Sequence, residues 1–165
     1  MTLRIAKMLL VFAVSGYHLL VVLNNTTDYG TNYEFVRHVL MMDSTRSGNG
    51  SMWRAMNSAV WHTAFYLSII AWEMITAVLC CWGGLNLARA LGGTAQEFNR
   101  AKRIAIAGLT LALLMWLVAF VSIGGEWFLM WQSKTWNGLD TASRMFTVIG
   151  IVLLFLAQPE AEGQS

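Results

Sequence analysis

The stretch from Ala59 to Trp82 reads AVWHTAFYLSIIAWEMITAVLCCW, an apolar run whose single charged residue, Glu73, stands near its centre. At about 1.5 Å of rise per residue, a helix of this length covers the roughly 30 Å hydrocarbon core of a bilayer. A carboxylate at that depth is expensive, so it calls for a partner, a water-lined cavity or a proton. Glu73 is therefore the first candidate intramembrane polar residue.

Working outward, three further windows satisfy the same test: Leu3 to Leu23, Ile104 to Ile123 and Leu139 to Ala157. The last is uninterrupted only from Met145 to Ala157 and must take in Asp140 and Arg144. These two stand i, i+4 on a helix and can pair, and an arginine near the interface can snorkel to it. The whole chain is 56% hydrophobic and 12% charged with one proline, far from a soluble domain with about 25% charged residues. The fold class expected is all-α: a membrane-embedded four-helix bundle. Residues 1–165 then form one four-span domain, with no room for a separate soluble catalytic domain. A net charge of +2 without a concentrated basic face speaks against nucleic acid as a partner.

Arg4 and Lys7 before an apolar run, with Ala13-Val14-Ser15 behind them, imitate a cleaved signal peptide. The hydrophobic run continues through Gly16 and Tyr17 to Leu23, so a retained first span is expected. Basic residues set the orientation. Arg100, Lys102 and Arg103 crowd the start of the third span, whereas Arg37, Arg46, Arg54, Lys134 and Arg144 are diluted by acidic neighbours. Both termini are accordingly placed on the cytoplasmic side. Cys80 and Cys81 then fall at the inner end, where they read as reduced helix-packing residues. In the inner loop, Gly92-Gly93 breaks the chain and Thr94-Ala95-Gln96-Glu97 forms a capping box that starts the next helix.

The outer segment from residue 24 to 58 is long enough to need structure of its own. Thr31-Asn32-Tyr33-Glu34 reads as a second capping box, after which Phe35, Val36, Val39, Leu40 and Met42 share one arc. A short amphipathic helix in the first extracytoplasmic loop is predicted, lying on the membrane surface or across the bundle mouth. Gly48-Asn49-Gly50 supplies a turn, and Ser51 is placed to start a helix carrying Trp53 towards the second span. Tyr29, Phe35, Val39 and Met42 are the docking candidates of this loop.

The run Asp28-Tyr29-Gly30-Thr31-Asn32, then Phe35-Val36, His38-Val39-Leu40 and Met42-Asp43, with Trp72-Glu73 downstream, resembles a bacterial family of predicted small four-span integral membrane proteins of unknown function. The resemblance covers most of the chain and implies a bacterial inner-membrane, multi-pass location. It implies no established activity.

Histidines and charges leave several readings open. His18 and His62, on neighbouring spans near the same side, could ligate a b-type haem, or could simply hydrogen-bond between helices. His38 with Asp43, and with Asp28, Glu34, Met41 or Met42 nearby, could hold zinc or copper, although no tight ligand spacing occurs. Lys7, placed about 6 Å in from the inner end of its span, could approach Glu73, about 13 Å from the inner end of its own. Alternatively Glu73 is protonated and hydrogen-bonded, or lies on a proton or cation path.

Trp53, Trp61, Trp82, Trp127, Trp131 and Trp136 fall near span ends as interfacial aromatics do, and Trp72 and Trp116 lie deeper. Residues 127–131 are too short to span and could form an apolar hood with the first outer loop. Gly83-Gly84, Gly92-Gly93 and Gly124-Gly125 read as turns and close-packing points rather than phosphate loops. With no nucleophile constellation, the chain is not read as an enzyme and no cofactor is expected. Two functions follow: an accessory or assembly subunit of a larger inner-membrane complex, partnered by lipid and other membrane subunits, or a small redox or transport protein using His18 and His62 for haem, or Glu73 for a proton or cation.

Overall fold

In the computed structural model, whose described residues are 1–46, 48 and 50–160, α1 runs Thr2–Thr27, α2 Tyr29–Met41, α3 Ala59–Arg89, α4 Ala95–Leu114 and α5 Leu139–Ala157. α4 does not stop at Leu114 but continues in π-helical geometry through Met115–Trp127, making one rod of 33 residues. The Ser122 hydroxyl follows the wider turn, donating to the Leu117 carbonyl five residues back. Among the described residues, α1, α3, this rod and α5 are the four helices long and apolar enough to cross a membrane.

Three spans exceed the lengths expected from hydropathy. α1 reaches Thr27 because the hydroxyls of Thr26 and Thr27 bond back to the Val22 and Leu23 carbonyls and let polar residues extend the helix. α3 passes through Gly83-Gly84, which are helical rather than a turn. The Thr94 capping box forms as predicted: the Glu97 amide donates to Thr94 Oγ1 at 3.2 Å, and the Thr94 amide to the Glu97 carboxylate at 2.7 Å.

α1 packs on α3, α3 on α4, α4 and its π continuation on α5, and α5 closes back on α1. Lipid is as apolar as leucine, so such helices associate through close contact and interhelical hydrogen bonds rather than through hydrophobic expulsion. Gly83, Gly84 and Gly108 provide the closeness. A Cβ on Gly83 would come within 2.5 Å of the Ala105 backbone, and one on Gly84 within 2.7 Å of the Phe12 ring. One on Gly108 would meet the Cys80 sulfur at 2.8 Å. Cys80 is free and buried, a packing residue against that glycine.

The first connecting loop departs from its expected details. α2 starts at Tyr29, before the Thr31 box, with Asp28 alone separating it from α1. The last turn of α1 passes its hydrogen bonds on directly, the Asp28 amide to Asn24 and the Asn32 side chain to the Asp28 carbonyl, so no helix start remains for Thr31 to cap. Glu34 pairs instead with Arg37 at 2.6 Å. Ser51 precedes only a 3₁₀ turn, Met52–Arg54, and α3 begins afresh at Ala59. Of the Gly48-Asn49-Gly50 turn, Asn49 lies outside the described residues, while Gly48 has φ +76° and fits a left-handed turn.

α2 lies across the bundle mouth, in contact with α1 and α3. Leu40 and Met42 bury against Phe128 from the loop after the π segment, and Ser44 donates to Ser133 in the same loop. The two loops thus form one hood. At the start of α5, Arg144 bonds to the Thr141 hydroxyl, and no ion pair between Arg144 and Asp140 occurs among the described residues.

Candidate functional site

On α1 the residues buried by neighbouring helices are Lys7, Val11, Val14, Ser15, His18 and Val22, a stripe at helical spacing. On α3 the stripe includes Glu73, Thr76, Ala77 and Cys80. The two stripes meet with Ser15 donating to the Ala77 carbonyl at 2.9 Å. One turn further on, His18 Nδ1 shares a hydrogen bond with Glu73 Oε2. The pair is sealed, His18 at 0% and Glu73 at 1% exposure.

Both groups lie deep. His18 stands nine residues before the end of α1 and Glu73 fourteen past the start of α3, about 13 and 21 Å by helical rise. A carboxylate and an imidazole joined by a hydrogen bond satisfy each other's polarity, which a low-dielectric interior demands. The His18 Nε2, Thr76 Oγ1 and Trp116 Nε1 atoms are buried without a hydrogen-bond partner among the described residues. Thr76 is one turn from Glu73 on α3, Trp116 stands in the π segment, and the Tyr17 ring meets the imidazole edge-on at 5.3 Å.

Lys7 is not the partner of Glu73. Its ammonium bonds to the Gln158 carbonyl at 3.0 Å and to Glu160 Oε1 at 2.5 Å, beyond the end of α5. Three turns of helix separate Lys7 from His18, and the α1–α3 register sets Glu73 opposite the latter. Arg4 and Lys102 join the same cluster, each 3.6 Å from the Glu160 carboxylate. In the sequence Arg4 bears on the N-terminal signal and Lys102 on orientation, and neither is read as a partner of a carboxylate. The available signal was Gln158-Pro159-Glu160, a carboxylate held just past a helix end by proline.

His18 and His62 are not brought together. His62 stands eleven residues from Glu73 on α3, about 16 Å by helical rise, so one haem iron cannot be reached from both. His62 donates from Nε2 to the Met56 carbonyl at 2.7 Å, and the Met56 amide donates to Leu40 at 2.8 Å, pinning the loop between α2 and α3. His38 and Asp43 do meet, Nδ1 to Oδ2 at 2.7 Å, while His38 Nε2 faces Glu34 at 3.4 Å. The His38 ring stacks on Trp136 with centroids 4.5 Å apart. Both of its nitrogens are turned to carboxylates, and no group of three or more metal-binding side chains is assembled among the described residues.

Of the docking candidates, Tyr29 is 38% exposed but Met42 only 1%. Phe35 and Val39 line an apolar cavity of about 190 Å³ beneath α2, shared with Phe65, Trp72, Phe120 and Phe128. Ser68 and Ile123, exposed on the flank of the bundle, also line it.

Apolar helices of spanning length, with interior polar groups tied from helix to helix, define a polytopic α-helical membrane protein. Residues 3–159 match the family described as predicted small integral membrane protein (DUF2165), and the chain belongs to that family. No curated protein and no solved structure matches it.

Proposed function

We propose that this protein is a non-catalytic accessory or assembly subunit of a larger complex in the bacterial inner membrane, with both termini cytoplasmic. The observation that carries the reading is the use made of intramembrane polarity. Ser15 ties to Ala77, His18 to Glu73 and the Trp72 indole to the Leu111 carbonyl, each bond joining two helices. Such ties hold a bundle in register. The hood leaves Trp53 at 73% and Trp131 at 49% exposure, and Trp61 at the start of α3 is 54% exposed; exposed aromatics of this kind favour an interface. The test is purification from native membranes in mild detergent with site-specific photo-crosslinkers at positions 53 and 61. The reading requires a stoichiometric membrane subunit whose crosslinks come from these positions and whose retention falls in Trp53→Ala. A protein that stays alone in its native membrane, with crosslinks to lipid only, would refute it.

A second reading follows from the unpartnered Nε2 of buried His18. A carboxylate holding one imidazole nitrogen leaves the other to exchange a proton, so the pair would serve proton movement. Dissipation of a pH gradient in proteoliposomes, abolished by Glu73→Gln in a folded protein, would favour this reading over the first.

A further inference from the structure

Beyond the His18–Glu73 pair stand the cavity beneath α2, the His38–Glu34–Asp43 group, and a charge cluster at the opposite end of the bundle. The charge cluster is the most deeply buried of these in its charged groups. Arg4, Lys7 and Lys102 converge on one carboxylate, Glu160, and the two lysines are each 3% exposed. The Lys7 and Lys102 ammonium groups are neighbours, since both donate to the Gln158 carbonyl, at 3.0 and 2.6 Å. Like charges held this close and this dry require anionic acceptors.

Glu160 supplies them incompletely. Its carboxylate is within hydrogen-bond distance of Lys7, at 2.5 Å, but Lys102 and Arg4 stand at 3.6 Å, at ion-pair range only. Three cations face this one carboxylate, and a lipid phosphodiester carries the same single negative charge over two non-bridging oxygens, so it can take the place of the carboxylate. The cluster also sits where α5 leaves the apolar layer at Ala157 and where α1 begins, the depth of lipid headgroups. We infer that Arg4, Lys7 and Lys102 form a phosphate site for the headgroup of an anionic phospholipid, and that Glu160 occupies it in this structure as a tethered competitor. Asn99 holds the tethered state, accepting from the Glu160 amide at 3.0 Å and donating to its carbonyl at 3.2 Å. The most exposed of the clustered side chains is Arg4, at 14%, so a headgroup meets it first as the tail swings away.

The test places the full chain in nanodiscs of phosphatidylcholine alone or with phosphatidylglycerol, and reads retained lipid by native mass spectrometry. Phosphatidylglycerol retained several-fold over phosphatidylcholine, more strongly in Glu160→Gln and less in Lys102→Met, is the expected result. Wild-type protein supplies a second reading that needs no variant: hydrogen exchange at the backbone of Gln158 and Glu160 rises when phosphatidylglycerol is present. Equal retention of the two lipids, or weaker phosphatidylglycerol retention in folded Glu160→Gln, would overturn the proposal. Release of the tail by inorganic phosphate in phosphatidylcholine discs, with no added effect of phosphatidylglycerol, would overturn the lipid assignment in favour of a soluble phosphate.

Discussion

His18 on α1 and Glu73 on α3 face each other in direct hydrogen-bond contact, and neither side chain reaches the surface of the bundle. Removing one partner strands the other. Glu73→Ala is therefore expected to destabilise the protein by about 1–3 kcal/mol, the desolvation penalty of an unsatisfied buried group. Glu73→Gln keeps a donor for Nδ1 and loses less. Unfolding in mixed detergent micelles, run as a double-mutant cycle with His18→Ala, should show coupling, the double variant losing less than the sum of the singles. Additive losses would mean that the two residues do not act as a pair.

Close packing of α3 on α4 predicts a sharp contrast between glycines. Gly83→Ala places a Cβ 2.5 Å from the Ala105 backbone, whereas the same change at Gly16 meets nothing within 4 Å. The first should cost about 1–3 kcal/mol through forced separation of the helices. At Gly16 the change should be neutral or stabilising by about 0.5–1 kcal/mol, from helix propensity alone. Similar losses in the two variants, measured by the same micellar unfolding, would contradict the close contact.

The tail contact predicts a dependence on pH. Burial pushes the Glu160 carboxyl up, but the Lys7 hydrogen bond and the charges of Lys7, Lys102 and Arg4 outweigh it and hold the group below its ordinary value of 4.5. A carboxyl with a depressed folded-state value stabilises fully above the ordinary value, and that stabilisation disappears as pH falls through the folded-state value. Protection of the Glu160 amide, read relative to the intrinsic exchange rate at each pH, should therefore stay high at pH 6 and fall at the acid end, below 4.5. In Glu160→Gln the step should vanish. A step of the same size in that variant would assign the titration to another group.

The His62 ring is predicted to act as a loop pin. Its hydrogen bond to the Met56 carbonyl and the Met56 amide bond to Leu40 link the start of α3 to the end of α2. His62→Ala should cost about 0.5–1.5 kcal/mol and raise exchange of the Met56 amide while leaving His18 unaffected. An unchanged Met56 amide would show that the loop is held by other contacts.

How far the fold was legible varies by element. The Thr94-Ala95-Gln96-Glu97 box was readable because capping is settled within four residues. The same pattern at Thr31 misled, because α1 runs almost directly into α2 and leaves no bare helix end there. Gly83-Gly84 read as a turn and a close-packing point, and only the second holds: the pair is helical, and the backbone of Ala105 and the ring of Phe12 claim the space that side chains would have taken. The π-helical stretch from Met115 to Trp127 left no readable signal, since its apolar composition satisfies an α-helix equally well.

By itself the sequence determined that this chain makes apolar helices of membrane-spanning length, with an amphipathic helix between the first two. That follows from local composition, because every buried backbone group must be satisfied within its own helix. The tertiary structure alone decided the partners: Glu73 with His18 rather than Lys7, Lys7 with Glu160, and His62 with the loop. Such pairings depend on which helices are neighbours and on the rotation and vertical register of each about its axis. A shift of one residue turns a side chain by about 100°, and hydropathy averaged over a window carries no record of that angle.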